Sequence, residues 1–235
     1  MSESIYTSGD YSAKNAGYHV EDSAWKAENL HRMMVRHDLR PKTVCEIGCG
    51  AGEVLLQLKQ RAGEGARYSG YDISPQAHEL CQERAGDHLE FFCQDLLEVK
   101  RDPFDLMLCI DVFEHVDDYI GFLRQLRSHG RKHLFHIPLD MAAQMVARGR
   151  PIMHVREKLG HLHYFNADTA LASLTYAGYR VEDHFYTFRP KSRKARLLAL
   201  PRRVLFSLNQ RLTVRIMGGF SLLVLADGGG ADANG

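Results

Sequence analysis

Val44-Cys45-Glu46-Ile47-Gly48-Cys49-Gly50-Ala51-Gly52-Glu53-Val54 carries a short apolar run into three glycines at alternate positions, then into a helix-like pattern. Thr43–Ile47 reads as a buried strand, and Val54, Leu55 and Leu58 recur as one face of a helix. Glycines at such a junction let the backbone turn tightly and let a ligand reach main-chain N–H groups with no Cβ in the way. In a dinucleotide fingerprint, G-x-G-x-x-G, the third glycine would fall at position 53, where Glu53 stands. The G-K-[ST] of a phosphate-binding loop is absent too. By spacing, the loop fits neither a dinucleotide nor a nucleoside triphosphate well.

On either side of this loop, strand-like and helix-like stretches alternate, which predicts an α/β sheet. A first helix is expected from a cap at Asp22 or Ser23 to about Asp38. Arg67–Asp72 reads as a second strand, followed by a helix with Ser74 as cap and Pro75 at its first position, ending near Gly86. Leu89–Cys93 and Phe104–Ile110 are the third and fourth strands, and Val116–His129 a helix stopped by Gly130. Lys132–Ile137 gives a fifth strand and Asp140–Arg148 a short helix. Asn166 caps a helix over Ala167–Ala177, and Tyr179–Phe188 and Phe220–Ala226 close the pattern as strands.

The 235 residues, 45% hydrophobic and 25% charged, suit one globular domain and exclude disordered, collagen-like and disulfide-scaffold proteins. We expect a single domain over 1–226, with an N-terminal lid or helix at 1–40 and a flexible tail at 227–235. The polar start MSESIYTSGDYSAKNAG shows no signal-peptide pattern, and no apolar run is long enough to span a membrane. Five scattered cysteines among apolar neighbours read as reduced thiols, hence a cytoplasmic protein. The net charge of +1 hides an asymmetry: residues 1–188 hold 21 Lys and Arg against 27 acids, and residues 189–235 hold 9 against 2.

Asp72 ends the second strand twenty residues after Gly52, where a carboxylate can accept two hydrogen bonds from a ribose diol. Asp95 lies just past the third strand, where it or its backbone could meet an adenine amine. Both would face the carboxyl ends of a parallel sheet, together with the glycine loop.

E-I-G-C-G-A-G, G-Y-D-I-S, C-Q-D-L and F-D-L-M-L-C-I-D-V-F-E-H-V, in that order and spacing, resemble the class I S-adenosylmethionine-dependent methyltransferases. The resemblance covers about residues 40–188, with the last strand added. It implies a Rossmann-like, seven-stranded mixed sheet in the order 3-2-1-4-5-7-6, the last strand antiparallel, with helices on both faces. It further implies S-adenosylmethionine as cofactor and S-adenosylhomocysteine as product. By this resemblance Gly48, Gly50 and Gly52 line the methionine part, and Glu46 fixes the loop and the amino group. Asp72 with Ile73 serves the ribose side, Asp95 with Leu96 the adenine, and Asp111 lies close to the methionine.

A hydroxyl acceptor must lose a proton as it attacks, and histidine suits that role at working pH. His115 follows the fourth strand and should face the ligand end of the sheet. His161 and His163, in G-H-L-H-Y-F, share one side if that segment is extended. The segment resembles, more loosely, the substrate-facing loop of small-molecule methyltransferases, including those acting on quinone precursors. His115, His161 and His163 are thus candidate catalytic residues, each with a packing role as the alternative. His133 and His136 read as structural. No metal is expected, because His154, His161 and His163 lack a supporting carboxylate motif. Cys45 and Cys49 read as small buried thiols.

Tyr18, His19 and Trp25, ahead of the first strand, and Tyr164 in the histidine loop are candidate substrate contacts; Trp25 could equally pack in the core. Residues 189–217 form a basic helical insertion without a single acid, with Val204, Leu205, Leu208 and Leu212 at helical spacing. It reads as a solvated helix, or as contact with an anionic acceptor or membrane surface, making a peripheral membrane location the variant of a cytoplasmic one. Nucleic acid is not expected, since no recognition module accompanies the charge.

The expectation is methyl transfer to a small or lipid-like metabolite, at oxygen in preference to nitrogen. One alternative is a methyltransferase acting on RNA or protein through the basic segment; another is a cofactor-binding module without transfer activity. The oligomeric state is not legible.

Overall fold

The computed structural model describes residues 20–63, 65–189 and 199–229. Its centre is a seven-stranded sheet in the order β3-β2-β1-β4-β5-β7-β6. In chain order the strands are β1 (Thr43–Ile47), β2 (Arg67–Asp72), β3 (Leu89–Cys93), β4 (Phe104–Ile110), β5 (Gly130–Pro138), β6 (Arg180–Phe188) and β7 (Phe220–Asp227). The first five pair in parallel, and β7 runs antiparallel between β5 and β6. Sheet order and strand directions agree with the expectation from sequence.

Alternation along the strands explains why both faces are covered. Leu106, Leu108 and Ile110 of β4 and Leu223 and Leu225 of β7 point into one core. Met107 and Cys109 of β4 and Leu222 and Val224 of β7 point into the other. The first core is closed by α1 (Val20–Arg36), α2 (Glu53–Ala62) and α3 (Pro75–Gln82), through Leu30, Met33, Leu55, Leu58 and Cys81. The second is closed by α4 (Tyr119–Leu126) and α7 (Ala167–Tyr176), through Leu123, Leu126, Ala170 and Leu174.

Several boundaries differ from the sequence expectation. Asp22 and Ser23 do not cap the first helix but lie buried within α1, where Asp22 pairs with Arg189 from the end of β6. The helix expected over Val116–His129 is shorter, because the Asp118 carboxylate accepts from the Gly121 N–H at 2.8 Å and starts α4 there. Between β5 and α7 two helices stand where one was expected, α5 (Ala143–Arg148) and α6 (Arg150–Leu159). Gly149 ends the first at φ 60°, and Pro151 opens the second.

The basic insertion folds as α8 (Ala199–Leu208) and α9 (Gln210–Ile216), broken at Asn209, whose side chain caps α9. Tyr18, His19, residues 190–198 and 230–235 lie outside the described residues. Among the described residues no helix is long and apolar enough to cross a membrane.

Phe135 of β5 is fully buried, with its ring 5.0 Å from Tyr179 and 6.3 Å from Phe113. Phe135→Ala should cost about 3–5 kcal/mol of stability in urea titration. Tyr176→Ala, at a ring that is 70% exposed, should shift it by no more than about 0.5 kcal/mol.

Candidate functional site

The carboxyl ends of β1, β2, β4 and β5 open into a cavity of about 1000 Å3, enough for two sizeable ligand groups side by side. Its floor is the glycine loop. Gly48 and Gly52 have φ of 66° and 75°, which side-chain-bearing residues seldom adopt. A Cβ would come within 2.8 Å of Val112 at Gly48 and 2.5 Å of Phe91 at Gly52. The loop is held by Asp72, whose two carboxylate oxygens accept from the Gly50 and Ser74 N–H groups, each at 2.9 Å. Cys45 and Cys49 are buried thiols, as expected.

Glu46 closes the inner wall. Its side chain is buried, one carboxylate oxygen has no hydrogen-bond partner among the described residues, and burial raises its pKa well above the usual carboxylate range. Along the next wall Ile73 is 46% exposed on the cavity lining. Asp95 caps a short turn by accepting from the Leu97 N–H at 2.9 Å. Leu96 lines the cavity with its side chain anchored in the core.

Asp111 has φ 56° and accepts from two cations or potential cations: Lys26 Nζ at 2.7 Å and His136 Nδ1 at 2.6 Å. These two partners outweigh desolvation and hold its carboxyl well below the usual range. His136 Nε2 in turn lies 3.1 Å from Thr187 Oγ1 of β6. Trp25 sets its indole edge-on to the His136 ring, 5.7 Å between centroids, and lines the cavity. His136, read from sequence as structural, therefore belongs to the cavity wall. His133 is buried instead against the Leu126 carbonyl, and its pKa falls to about 4.

The cavity lining also includes Glu114, His115 and His161. Glu114 is fully buried, neither carboxylate oxygen has a hydrogen-bond partner among the described residues, and burial raises its pKa well above normal. His115 Nδ1 lies 3.2 Å from the Gly160 carbonyl, so that nitrogen is the N–H donor and Nε2 keeps the lone pair. Its Nε2 is 3.9 Å from Glu114, and burial lowers the pKa to about 4. His161 is buried with Nδ1 2.8 Å from Asp140 Oδ2. A carboxylate only accepts, so Nδ1 is the donor in this pair. The two imidazoles meet edge to face at 4.7 Å.

The structure separates the other candidates from the cavity. His163 does not share a side with His161: its Nε2 donates to the Val116 carbonyl at 2.9 Å, and its ring packs on Tyr119. The segment is no extended strand, because the Leu162 and His163 N–H groups both bind the Glu114 carbonyl and turn the chain. Tyr164 likewise does not line the cavity and donates to the His161 carbonyl. His154 is exposed on α6. The histidine set weighed for a metal thus does not assemble. A different group does: Glu114, His115 and His161 offer ligand atoms all within 4.8 Å of one another.

Sequence reasoning missed Lys26, Glu114, His136, Asp140 and Thr187 as parts of this cavity. Glu114 stood beside His115 in F-E-H-V. The others come together only through the sheet.

A family model described as a methyltransferase domain matches residues 19–184. The chain belongs to the S-adenosylmethionine-dependent methyltransferases. S-adenosylmethionine is the cofactor of this family, and the cavity fits it on the chain's own features: a glycine cradle that a Cβ would fill, and an orphaned acidic oxygen beside it. A ubiquinone biosynthesis O-methyltransferase of Neisseria meningitidis serogroup C is 33% identical over 94 residues, 37% of this chain and 39% of the relative. One from Pseudomonas paraeruginosa is 32% identical over 95 residues, 38% of this chain and 40% of the relative. The matched region spans about two fifths of these relatives. The methyltransferase shares its fold with the magnesium protoporphyrin IX methyltransferase of Synechocystis, solved with S-adenosylhomocysteine, at a TM-score of 0.60 and 18% identity. That match covers 87% of this chain and 82% of the other.

Lys26 and Asp111 are 15% and 27% exposed, so Lys26→Met should cost about 2–3 kcal/mol at pH 7, somewhat less than breaking a fully buried pair. The carboxyl of Asp111 is depressed in the folded protein, so its stabilisation exists above the unfolded value near about 3.9 and fades as pH falls below it. Urea titrations from pH 7 to pH 3 should therefore show the gap between parent and variant narrowing in acid; a gap that is constant with pH would mean the pair is not ionised.

Proposed function

We propose that the protein transfers a methyl group from S-adenosylmethionine to a hydroxyl of a small or lipid-like metabolite, with His161 as the base. The observation that carries this reading is the Asp140–His161 pair, in which Nδ1 lies 2.8 Å from the carboxylate and the imidazole lines the cavity that also contains the glycine loop. An amine attacks with its own lone pair, whereas a hydroxyl needs a base, so a buried and oriented imidazole favours oxygen. Similarity to O-methyltransferases over part of the chain supports the same acceptor atom.

When bound, S-adenosylmethionine supplies an electrophilic methyl group on its sulfonium. Gly48, Gly50 and Gly52 let its methionine part sit against the backbone, and Glu46 receives the amino group. Asp72 accepts from the ribose hydroxyls, with Ile73 providing apolar contact on that side, and Asp95 with Leu96 holds the adenine. Asp111 fixes Lys26 beside the methionine end. Trp25 narrows the acceptor side. His161 then takes the acceptor proton, and Asp140 stabilises the imidazolium that results. His115, with its low pKa, stays neutral and shapes the pocket. Holding the acceptor in line can supply roughly 7–11 kcal/mol of barrier reduction. A reducing, cytoplasmic setting suits the five free cysteines.

A second reading rests on the orphaned Glu114 carboxyl. Two imidazole Nε2 atoms and one carboxylate form a donor set that suits a divalent cation, with Asp140 and the Gly160 carbonyl orienting the rings from behind. Such a cation would lower the pKa of an acceptor hydroxyl, and His161 would be a ligand instead of the base.

His161→Ala should lower turnover by about 10²–10⁴-fold while calorimetric affinity for S-adenosylhomocysteine stays within twofold. Unchanged turnover removes His161 from the chemistry. Under the base reading the parent keeps its activity in EDTA. Activity lost in EDTA and restored by magnesium, manganese or zinc would favour the cation. Asp72→Ala should weaken cofactor binding by at least about 1.5 kcal/mol, and unaltered affinity would refute the ribose assignment.

A further inference from the structure

Of the eleven large hydrophobic side chains exposed among the described residues, eight lie on α5, α6, α8 and α9 or just before them. On α8 the inward face is taken by Phe206, stacked on Phe220 at 5.5 Å, and by Arg202, over the Phe188 ring at 5.4 Å. Val204, Leu205 and Leu208 therefore point outward, at 53%, 47% and 77% exposure. The apolar stripe read from sequence is thus not the face that docks α8 on the sheet. Leu212 and Ile216 continue the exposed stripe on α9, whose buried side is Thr213 and Val214.

The patch extends across a neighbouring layer. Helix α9 packs on α5, and α5 on α6. The turn at Gly218 after α9 sits so close to Met145 that a Cβ there would overlap its sulfur. From this second layer Met141, Val146 and Met153 add exposed apolar surface. The charge around it has one sign: residues 141–166 and 199–226 hold eight Lys and Arg and one acid, Glu157. Arg202 is engaged inward on Phe188, and Arg215 pairs at the surface with Asp168, an exposed acid just beyond these stretches. Arg148, Arg150, Arg156, Arg203 and Arg211 are exposed.

We propose that α5, α6, α8 and α9 form one surface that docks on an anionic lipid bilayer, with the apolar side chains entering the interface and the arginines meeting acidic headgroups. Apolar and basic residues on the same short helices suit that interface. A two-fold pairing with a second copy would set this basic patch against itself, which like charges oppose. The docking surface adjoins the cavity: Leu159 ends α6 and Gly160–Leu162 follow it, Gly219–Ser221 follow α9, and both stretches line the cavity. An acceptor dissolved in the bilayer would therefore find the cavity rim next to the docked helices. Vesicle binding needs no methyl transfer, so its outcome is independent of the reaction proposed above.

The test is co-sedimentation of the full chain with phosphatidylcholine vesicles and with vesicles of equal phosphatidylcholine and phosphatidylglycerol. The parent should partition at least tenfold better onto the anionic vesicles and lose most of that preference in 0.5 M NaCl. Leu205→Ser with Leu208→Ser should reduce partitioning at least fivefold. Val35→Ser with Tyr176→Ser, exposed apolar positions elsewhere, should leave it unchanged, with circular dichroism showing all variants folded. Equal binding to both vesicles, no binding, or full binding by the Leu205/Leu208 variant overturns the proposal. So does a dimer in sedimentation velocity that the same variant dissociates and that excludes vesicles, since the face then belongs to a second copy.

Discussion

The carboxylate of Asp111, at the end of β4, joins elements that no local pattern connects. It binds Lys26 from α1 and His136 from β5, and His136 reaches on to Thr187 of β6. A charge removed from water is tolerated only when its partners replace the lost hydration, and the Lys26 ammonium and the His136 ring nitrogen do so here. The backbone at Asp111 takes up a left-handed φ to present that carboxylate. Helix α1 is thereby fixed over the strand ends, with Arg189 and Asp22 as a second tie. Helix α1 in turn contributes Trp25 and Lys26 to the cavity lining.

Within the enclosure two walls have separate chemistry. One wall is backbone and acids: the glycine loop, Glu46, Asp72 and Asp95. The other is imidazole and buried carboxyl: His115, His161, Glu114 and Asp140. Fold alone would not assign a reaction to either, since one scaffold carries many chemistries. The methyl transfer to a hydroxyl proposed above rests on the second wall, where His161 Nδ1 faces the Asp140 carboxylate.

The strands and the glycine loop were legible because their signals are local, and the sheet order followed from the family resemblance that those motifs carry. Alternating strands and helices, three glycines at a junction and acids at strand ends each occupy a few consecutive residues. The second wall was only partly legible. His115 and His161 stood out by residue type, but their partners come from other segments: Asp140 follows β5, and Gly160 ends α6. His163 misled because spacing two apart implies one side only in an extended chain, and the Glu114 carbonyl bends this one. The stripe Val204, Leu205, Leu208 was visible as a pattern, but its outward direction was not, since Phe206 and Arg202 take the packed face. Lys26 gave no local signal at all, because a lysine acquires its meaning here from a carboxylate 85 positions away.

The reaction proposed for this cavity is methylation of a small-molecule hydroxyl. The most direct measurement incubates the protein with methyl-labelled S-adenosylmethionine and a cell extract, then separates organic-soluble, aqueous small-molecule, RNA and protein fractions against a heat-killed control. Label is expected in a small-molecule fraction, in a product that resists alkali as a methyl ether does. Label in RNA or protein, or no label from protein that binds the cofactor, would contradict the proposal.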